Sequence, residues 1–359
     1  MAGRGDPPEG TPEGLPGGED EYRSVVFDES FVRAARLQEF SAAERMGEHA
    51  QAVRSRPTWE GRSGSRQALM LVLLILLAFG TAVYLGVRNP YQPPLDQRAE
   101  PLTTTTVPLA PQGVVPGGTP ASLFAHSPVA EYRTGAAGIN LPLATRTPHF
   151  SESQVVAALG IAKDYLVASS LDPQVLAGQT TRPPRLLVDP DQQEQFDRSV
   201  ESPQDDGRHA ISGWLVSFDP HQAVLADPGI RVQGTLHFAE VNADLLDVTA
   251  DHTFTYAVRP VTSGTGPAPQ ASLFTVHREL HFRFDREDLQ MHRAELLTST
   301  VQAGPQSCDA DPTGALRPLL AGERAADRSH QAVTDPYATG RPATSPLCGV
   351  LAPSAQPSV

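Results

Sequence analysis

Histidine and carboxylate side chains two residues apart on a strand share one face, and His277, Glu279 and His281 form such a row. Neighbours in the row stand ~6.5–7 Å apart along the backbone, so one metal ion could bridge two of them. A four-coordinate site needs further ligands from an adjacent strand, and His237 is the candidate. The competing reading is a solvated polar face whose groups pair with Arg283. The spacing alone does not decide for a metal, so no metal ligand is assigned. His252 falls in phase with apolar residues, which predicts a hydrogen-bonded core histidine.

Other chemistry is sparse. There is no P-loop, no G-x-S-x-G, no H-E-x-x-H and no C-x-x-C. Asp205-Asp206-Gly207 lacks the calcium-loop pattern. Nothing assembles a nucleophile, a base and an oxyanion site. No catalytic or cofactor-binding residue is assigned, no cofactor is expected, and the chain reads as a non-enzyme.

Composition narrows the classes further. The formal net charge is −13, which argues against a nucleic-acid binder, since those carry a basic footprint. The 34 Pro and 29 Gly gather in the first 20 residues, in 90–120 and in the last 55, so the folded part is much shorter than 359 residues.

Ala68 to Val87 reads ALMLVLLILLAFGTAVYLGV without a charge. Those 20 residues, at a rise of ~1.5 Å each, match a ~30 Å hydrocarbon core. The sequence therefore predicts a single transmembrane helix at 68–87. Arg54, Arg56, Arg62 and Arg66 precede it, and only Arg88 and Arg98 follow closely. The positive-inside rule then puts the N-terminus in the cytoplasm and the C-terminal region outside the inner (cytoplasmic) membrane. Ala78, Ala82 and Gly86 form a small-residue stripe compatible with a homodimer.

Residues 1–21 are acidic and rich in Gly and Pro, and are expected to be disordered. Residues 22–56 mix apolar and charged positions. Asp28 is a candidate N-cap, and Ser41 with Glu44 matches a capping box. Such short helices need a surface to pack on. Phe27, Phe31, Leu37 and Phe40 are the candidate docking residues for a protein partner. The run FDESFVRAARLQEFSAAERM, just before the apolar segment, resembles a family of functionally uncharacterised single-pass membrane proteins from streptomycetes and related actinobacteria. The resemblance implies the single-pass layout and brings no activity with it.

Residues 88–120, with eight prolines from Pro90 to Pro120 and a Thr103–Thr106 run, read as an extended linker open to O-glycosylation. Residues 121–304 read as an α+β domain outside the cytoplasm. Ser151 and Gln154 frame a capping box for a helix through about Ser169. Asp172-Pro173 and Asp189-Pro190 mark two short helix starts. A period of two then predicts strands over Ile211–Phe218, around Val232–Phe238, over Val248–Val258, over Phe274–Phe284 and within Leu289–Val301. One long helix followed by a curved antiparallel sheet suggests a cystatin-like or NTF2-like cone. In the Pro/Ala-rich tail, 305–359, Cys308 and Cys348 favour a disulfide outside the cytoplasm. Closing that loop is worth ~4 kcal/mol in the chain-entropy model. Two free thiols and a two-cysteine metal site are the alternatives.

These features point to a non-enzymatic envelope scaffold or adaptor with a protein partner in the cytoplasm or envelope. The alternatives are a module outside the cytoplasm that binds or senses a small ligand, and an envelope enzyme. A filled interior beneath the long helix counts against both.

Overall fold

The computed structural model describes residues 64–88, 99–261, 269–311, 313–326, 332–338 and 348–358. The expected disordered N-terminus and the docking segment, with Phe27, Phe31, Leu37 and Phe40, lie outside the described residues. The chain divides into two compact units, Met1–Gln92 and Pro93–Val359.

In the first unit the apolar run lies on one helix, α1 (Gly64–Arg88, 25 residues). Side chains are described from Leu69 to Thr81, and all of these residues are exposed; Met70 and Phe79 are exposed by 73% and 70%. Thr81 returns its hydroxyl to the Leu77 carbonyl, which satisfies it within the helix. Among the described residues, no helix is long and apolar enough to cross a membrane. Of the small-residue stripe, Ala82 and Gly86 have no described side-chain surroundings.

The second unit is α+β, built on a curved, open and mostly antiparallel sheet. In chain order its strands are β1 (Thr103–Ala110), β2 (Arg133–Thr134), β3 (Ala223–Leu225), β4 (Arg231–Glu240), β5 (Leu246–Pro260), β6 (Ser272–Phe284), β7 (Glu295–Gly304), β8 (Val333–Thr334) and β9 (Gly349–Leu351). The spatial order is β2-β4-β5-β6-β7-β1-β9-β8, with β3 paired to β5. Strands β4, β5 and β6 carry the alternation expected of them: Val232, Leu236, Val248, Phe254, Val276 and Phe282 are buried on one face.

Helix α2 (Glu152–Ser170) covers that face. Its predicted capping box is formed: Ser151 accepts from the Gln154 amide, and Gln154 Oε1 accepts from the Ser151 amide at 2.9 Å. Val155, Leu159, Ala162 and Leu166 enter one core with the sheet, and Tyr165 meets Phe282 edge-on at 5.5 Å between ring centroids. Asp172 and Asp189 cap the short helices Pro173–Leu176 and Pro190–Gln192, as the Asp-Pro pairs predict.

Three expectations are corrected. The described part of the expected linker includes strand β1, which runs parallel to β7 from Thr103↔Thr298 to Pro108↔Ala303. Its β-branched residues suit a strand, and Pro108, without an N–H, sits where β1 passes from β7 to β9. Thr104 is only 6% exposed, which leaves little of it for a sugar. Ile211–Phe218 is not a strand: Ile211–Trp214 is a single helical turn, and only Phe218 joins an isolated bridge, to Leu316. Within Leu289–Val301 the chain first completes helix α3 (Arg286–Met291), capped by Asp285, and the strand begins at Glu295. Charges in the first turn and a capping box override the apolar periodicity there.

Candidate functional site

Three places in the domain gather polar side chains with unusual surroundings. The first is the sheet face away from α2, where the predicted row stands. His277, Glu279 and His281 share that face, but each histidine pairs across the sheet with an aspartate. His281 Nε2 lies 2.9 Å from Asp247 Oδ2, and His277 Nε2 lies 3.2 Å from Asp251 Oδ1. Arg283 completes the Asp247 pair at 3.1 Å and reaches Glu100 at 3.4 Å. Asp247 is held below its usual range: its bonds to His281 and Arg283 outweigh burial, the largest single influence, which pushes the other way. His237 lies outward on β4, exposed. Among the described residues, no group of three or more His, Cys, Asp or Glu is arranged to hold a metal ion.

The second place is inside the core. Arg278 falls in phase with Val276 and Leu280 and has 0% exposure. Its Nη1 donates to Ser169 Oγ at 2.9 Å and Ser170 Oγ at 2.8 Å. Its Nη2 donates to the Gly213 and Trp214 carbonyls, both at 3.0 Å. None of these partners is a carboxylate. The cation is balanced instead by carbonyls at the end of the Ile211–Trp214 turn and hydroxyls in the last turn of α2, where helix dipoles favour positive charge. Tyr165 also donates to the Trp214 carbonyl at 2.7 Å, and Tyr256 to the Ser170 carbonyl at 2.9 Å. Sequence reasoning missed Arg278. The available signal was the gap it leaves in an otherwise apolar row.

His252 is the directly opposed neighbour of Arg278. It is a core residue as expected, at 0% exposure, but neither ring nitrogen has a hydrogen-bond partner among the described residues. That corrects the expected hydrogen bond. Burial, and secondarily the charge of His277, pushes its pKa down to about 4, so the ring stays neutral. Its ring occupies the space above Gly234, where an added Cβ would stand 2.5 Å from it.

The third place is a carboxylate cleft. Two adjoining open cavities of about 280 and 240 Å³ share Asp189, Asp285 and Asp288 in their walls. Asp285 and Asp288 are tied together by the α3 capping box. Asp288 is pushed up to about 8, first by burial and then by the neighbouring charges of Asp285 and Asp189. Burial also raises Asp189 and Glu295. At neutral pH the Asp288 carboxyl therefore keeps its proton. Glu100 closes the cleft, its amide bonded to Glu295 Oε1 at 2.6 Å.

In the tail, Cys308 and Cys348 stand at disulfide distance, with Cα atoms 5.6 Å apart. Set against known protein families, curated proteins and solved structures, the chain matches none.

Proposed function

We propose that this chain is a non-enzymatic scaffold or adaptor of the cell envelope, held in the inner membrane by one helix. The observation that carries the reading is the uncharged run Ala68–Val87 on helix α1. Its described leucines are exposed by 60–69%, a surface that water does not stabilise and hydrocarbon does. The arginine bias before the run supports a cytoplasmic N-terminus. The layout accords with the actinobacterial single-pass family that residues 22–56 resemble.

The interior of the outer domain supports a binding surface rather than a pocket. Beneath α2 the space is filled by Val155, Leu159, Tyr165, Val248, Phe254 and Phe282, all at most 1% exposed. The cystatin-like or NTF2-like cone is the finer fold reading, supported by one long helix packed on one face of a curved sheet. In the adaptor reading, residues 22–56 dock a protein partner through Phe27, Phe31, Leu37 and Phe40, and the outer domain meets another envelope component.

The test is crosslinking capture of the tagged full-length protein in its native membrane, beside a version lacking residues 26–53. A partner captured by the first and lost by the second supports docking through that segment. Identical captures by both would move recognition to the outer domain or the helix. Specific capture by neither would count against the adaptor reading.

A further inference from the structure

Strand β4 lies at the rim of the sheet, and its outer edge is open along most of its length. Strand β2 pairs with it only at Arg133↔Val232 and Thr134↔Arg231. Just before β4, the Ile230 carbonyl accepts from the Gly135 amide at 2.8 Å. Backbone groups of successive strand residues point to opposite neighbours, so the even-numbered residues of β4 face outward and the odd-numbered ones face β5. Beyond Val232, the outward groups of Gly234, Leu236 and Phe238 have no hydrogen-bond partner among the described residues. Gly234 has no side chain, so its partial exposure is exposure of that backbone.

Native sheets shield such an edge with prolines, charges or a bulge. The run Gln233–Ala239 has no proline and no charge, and its register with β5 is unbroken from Arg231↔Thr255 to Glu240↔Leu246. The chain from Gly138 to His149 is tied to both ends of the edge. Gly138 packs on Val232 with no room for a Cβ, and the Thr147 hydroxyl and His149 amide bond the Glu240 carboxylate. Between these ties it makes no backbone hydrogen bond to β4, and it holds Leu141 and Leu143 exposed by 44% and 87%. An unpaired edge beside bare leucines suits an interface.

The edge is complementary to itself. A two-fold axis at Leu236 lays two β4 strands antiparallel and pairs the whole run Gln233–Ala239, stopping short of β2 at one end and of the β4–β5 turn at the other. Outward residues then meet as hydrogen-bonded pairs, Leu236 with its own copy and Gly234 with Phe238 of the second copy. A ring opposite a glycine fills the space the glycine leaves, and here the His252 ring already leans over Gly234. On the polar face Thr235 meets His237 and Gln233 meets Ala239, so no like charges are opposed. At the ends, Arg231 of one copy approaches Glu240 of the other, opposite signs in a chain of net charge −13.

We propose that two copies of this chain join edge to edge through β4, antiparallel about Leu236, into one continuous sheet with Leu141 and Leu143 at the seam. The pairing goes beyond the scaffold reading and does not depend on it.

The experiment is disulfide trapping in the full-length chain. Thr235 and His237 are exposed and oppose each other across the axis as a non-hydrogen-bonded pair, with Cα atoms ~4.5 Å apart, a span that a disulfide bridges. Within one copy they stand ~6.5–7 Å apart with parallel side chains, too far for Cβ atoms that a bridge needs at ~3.8 Å. Lysate prepared without detergent and carrying Thr235→Cys/His237→Cys is oxidised and run on a non-reducing gel. The expected result is a shift of most of the chain to a dimer band. Thr235→Cys alone, His237→Cys alone and Thr298→Cys, an exposed position on the same face of β7, should stay monomeric. Adding Gln233→Lys and Ala239→Lys to the double variant sets lysines opposite each other across the seam and should abolish the dimer band. No dimer from the double variant overturns the proposal, as does a disulfide to a different protein in its place. So does a dimer band of equal strength from any of the three single variants, or its survival when the lysines are added.

Discussion

His252 on β5 and Arg278 on β6 stand directly opposite each other in the sheet register, and neither side chain reaches solvent. One is a neutral ring without a hydrogen-bond partner among the described residues; the other is a cation with four acceptors and no carboxylate. The pair sits where α2, the Ile211–Trp214 turn and the sheet meet, so its variants test how the core is held.

Arg278 fastens two helix ends. Arg278→Met takes one donor each from the Ser169 and Ser170 hydroxyls and from the Gly213 and Trp214 carbonyls, which keep only those of Ser299 and Tyr165. The expected cost is about 3 kcal/mol, read from urea unfolding followed by Trp214 fluorescence. Arg278→Lys should recover only part of it, because an ammonium lacks the planar fork that spans all four acceptors.

His252 should make the domain acid-sensitive. Its folded pKa, about 4, lies below the ordinary 6.5, so the unfolded chain binds the proton more tightly. Stability is therefore lost as the pH falls from about 6.5 through about 4. His252→Met removes that loss, on the order of 3 kcal/mol, and at neutral pH should change stability by less than about 1.5 kcal/mol. Urea unfolding of both proteins at the two ends of the window checks it.

Asp288 works with the opposite sign. Its folded pKa, about 8, lies above the ordinary 3.8, so the folded state binds the proton more tightly. Its contribution is fully present below about 3.8 and is lost as the pH rises through about 8. His252 acts only below about 6.5, so unfolding measured between about 6.5 and about 8 separates the cleft carboxyls from that ring. Wild type should lose stability across that interval, and Asp288→Asn should lose distinctly less.

Particular residues mark where the sequence was readable. Strands β4, β5 and β6 alternate cleanly because one face is core and the other polar, and the Ser151–Gln154 capping box announces α2. Strand β1 was hidden because its prolines and threonines have the composition of a linker, while its partner β7 lies almost 200 residues away. The carboxylate cleft was hidden for a related reason. Asp189, Asp285 and Glu295 come together only when the chain near Pro190 folds beside the β6–β7 connection, and no local spacing encodes that. Arg278 was hidden by its chemistry, since a charged residue in an apolar row reads as an exception until its acceptors are seen.

Under the proposed function, Ala68–Val87 anchors this chain in a bilayer with its N-terminus in the cytoplasm. Alkaline carbonate extraction of cell membranes, joined to protease protection of N- and C-terminal tags in intact spheroplasts, tests it most directly. A protein anchored in this way stays in the membrane pellet, with its N-terminal tag protected and its C-terminal tag cleaved. Release into the carbonate supernatant, or protection of the C-terminal tag alone, would contradict it.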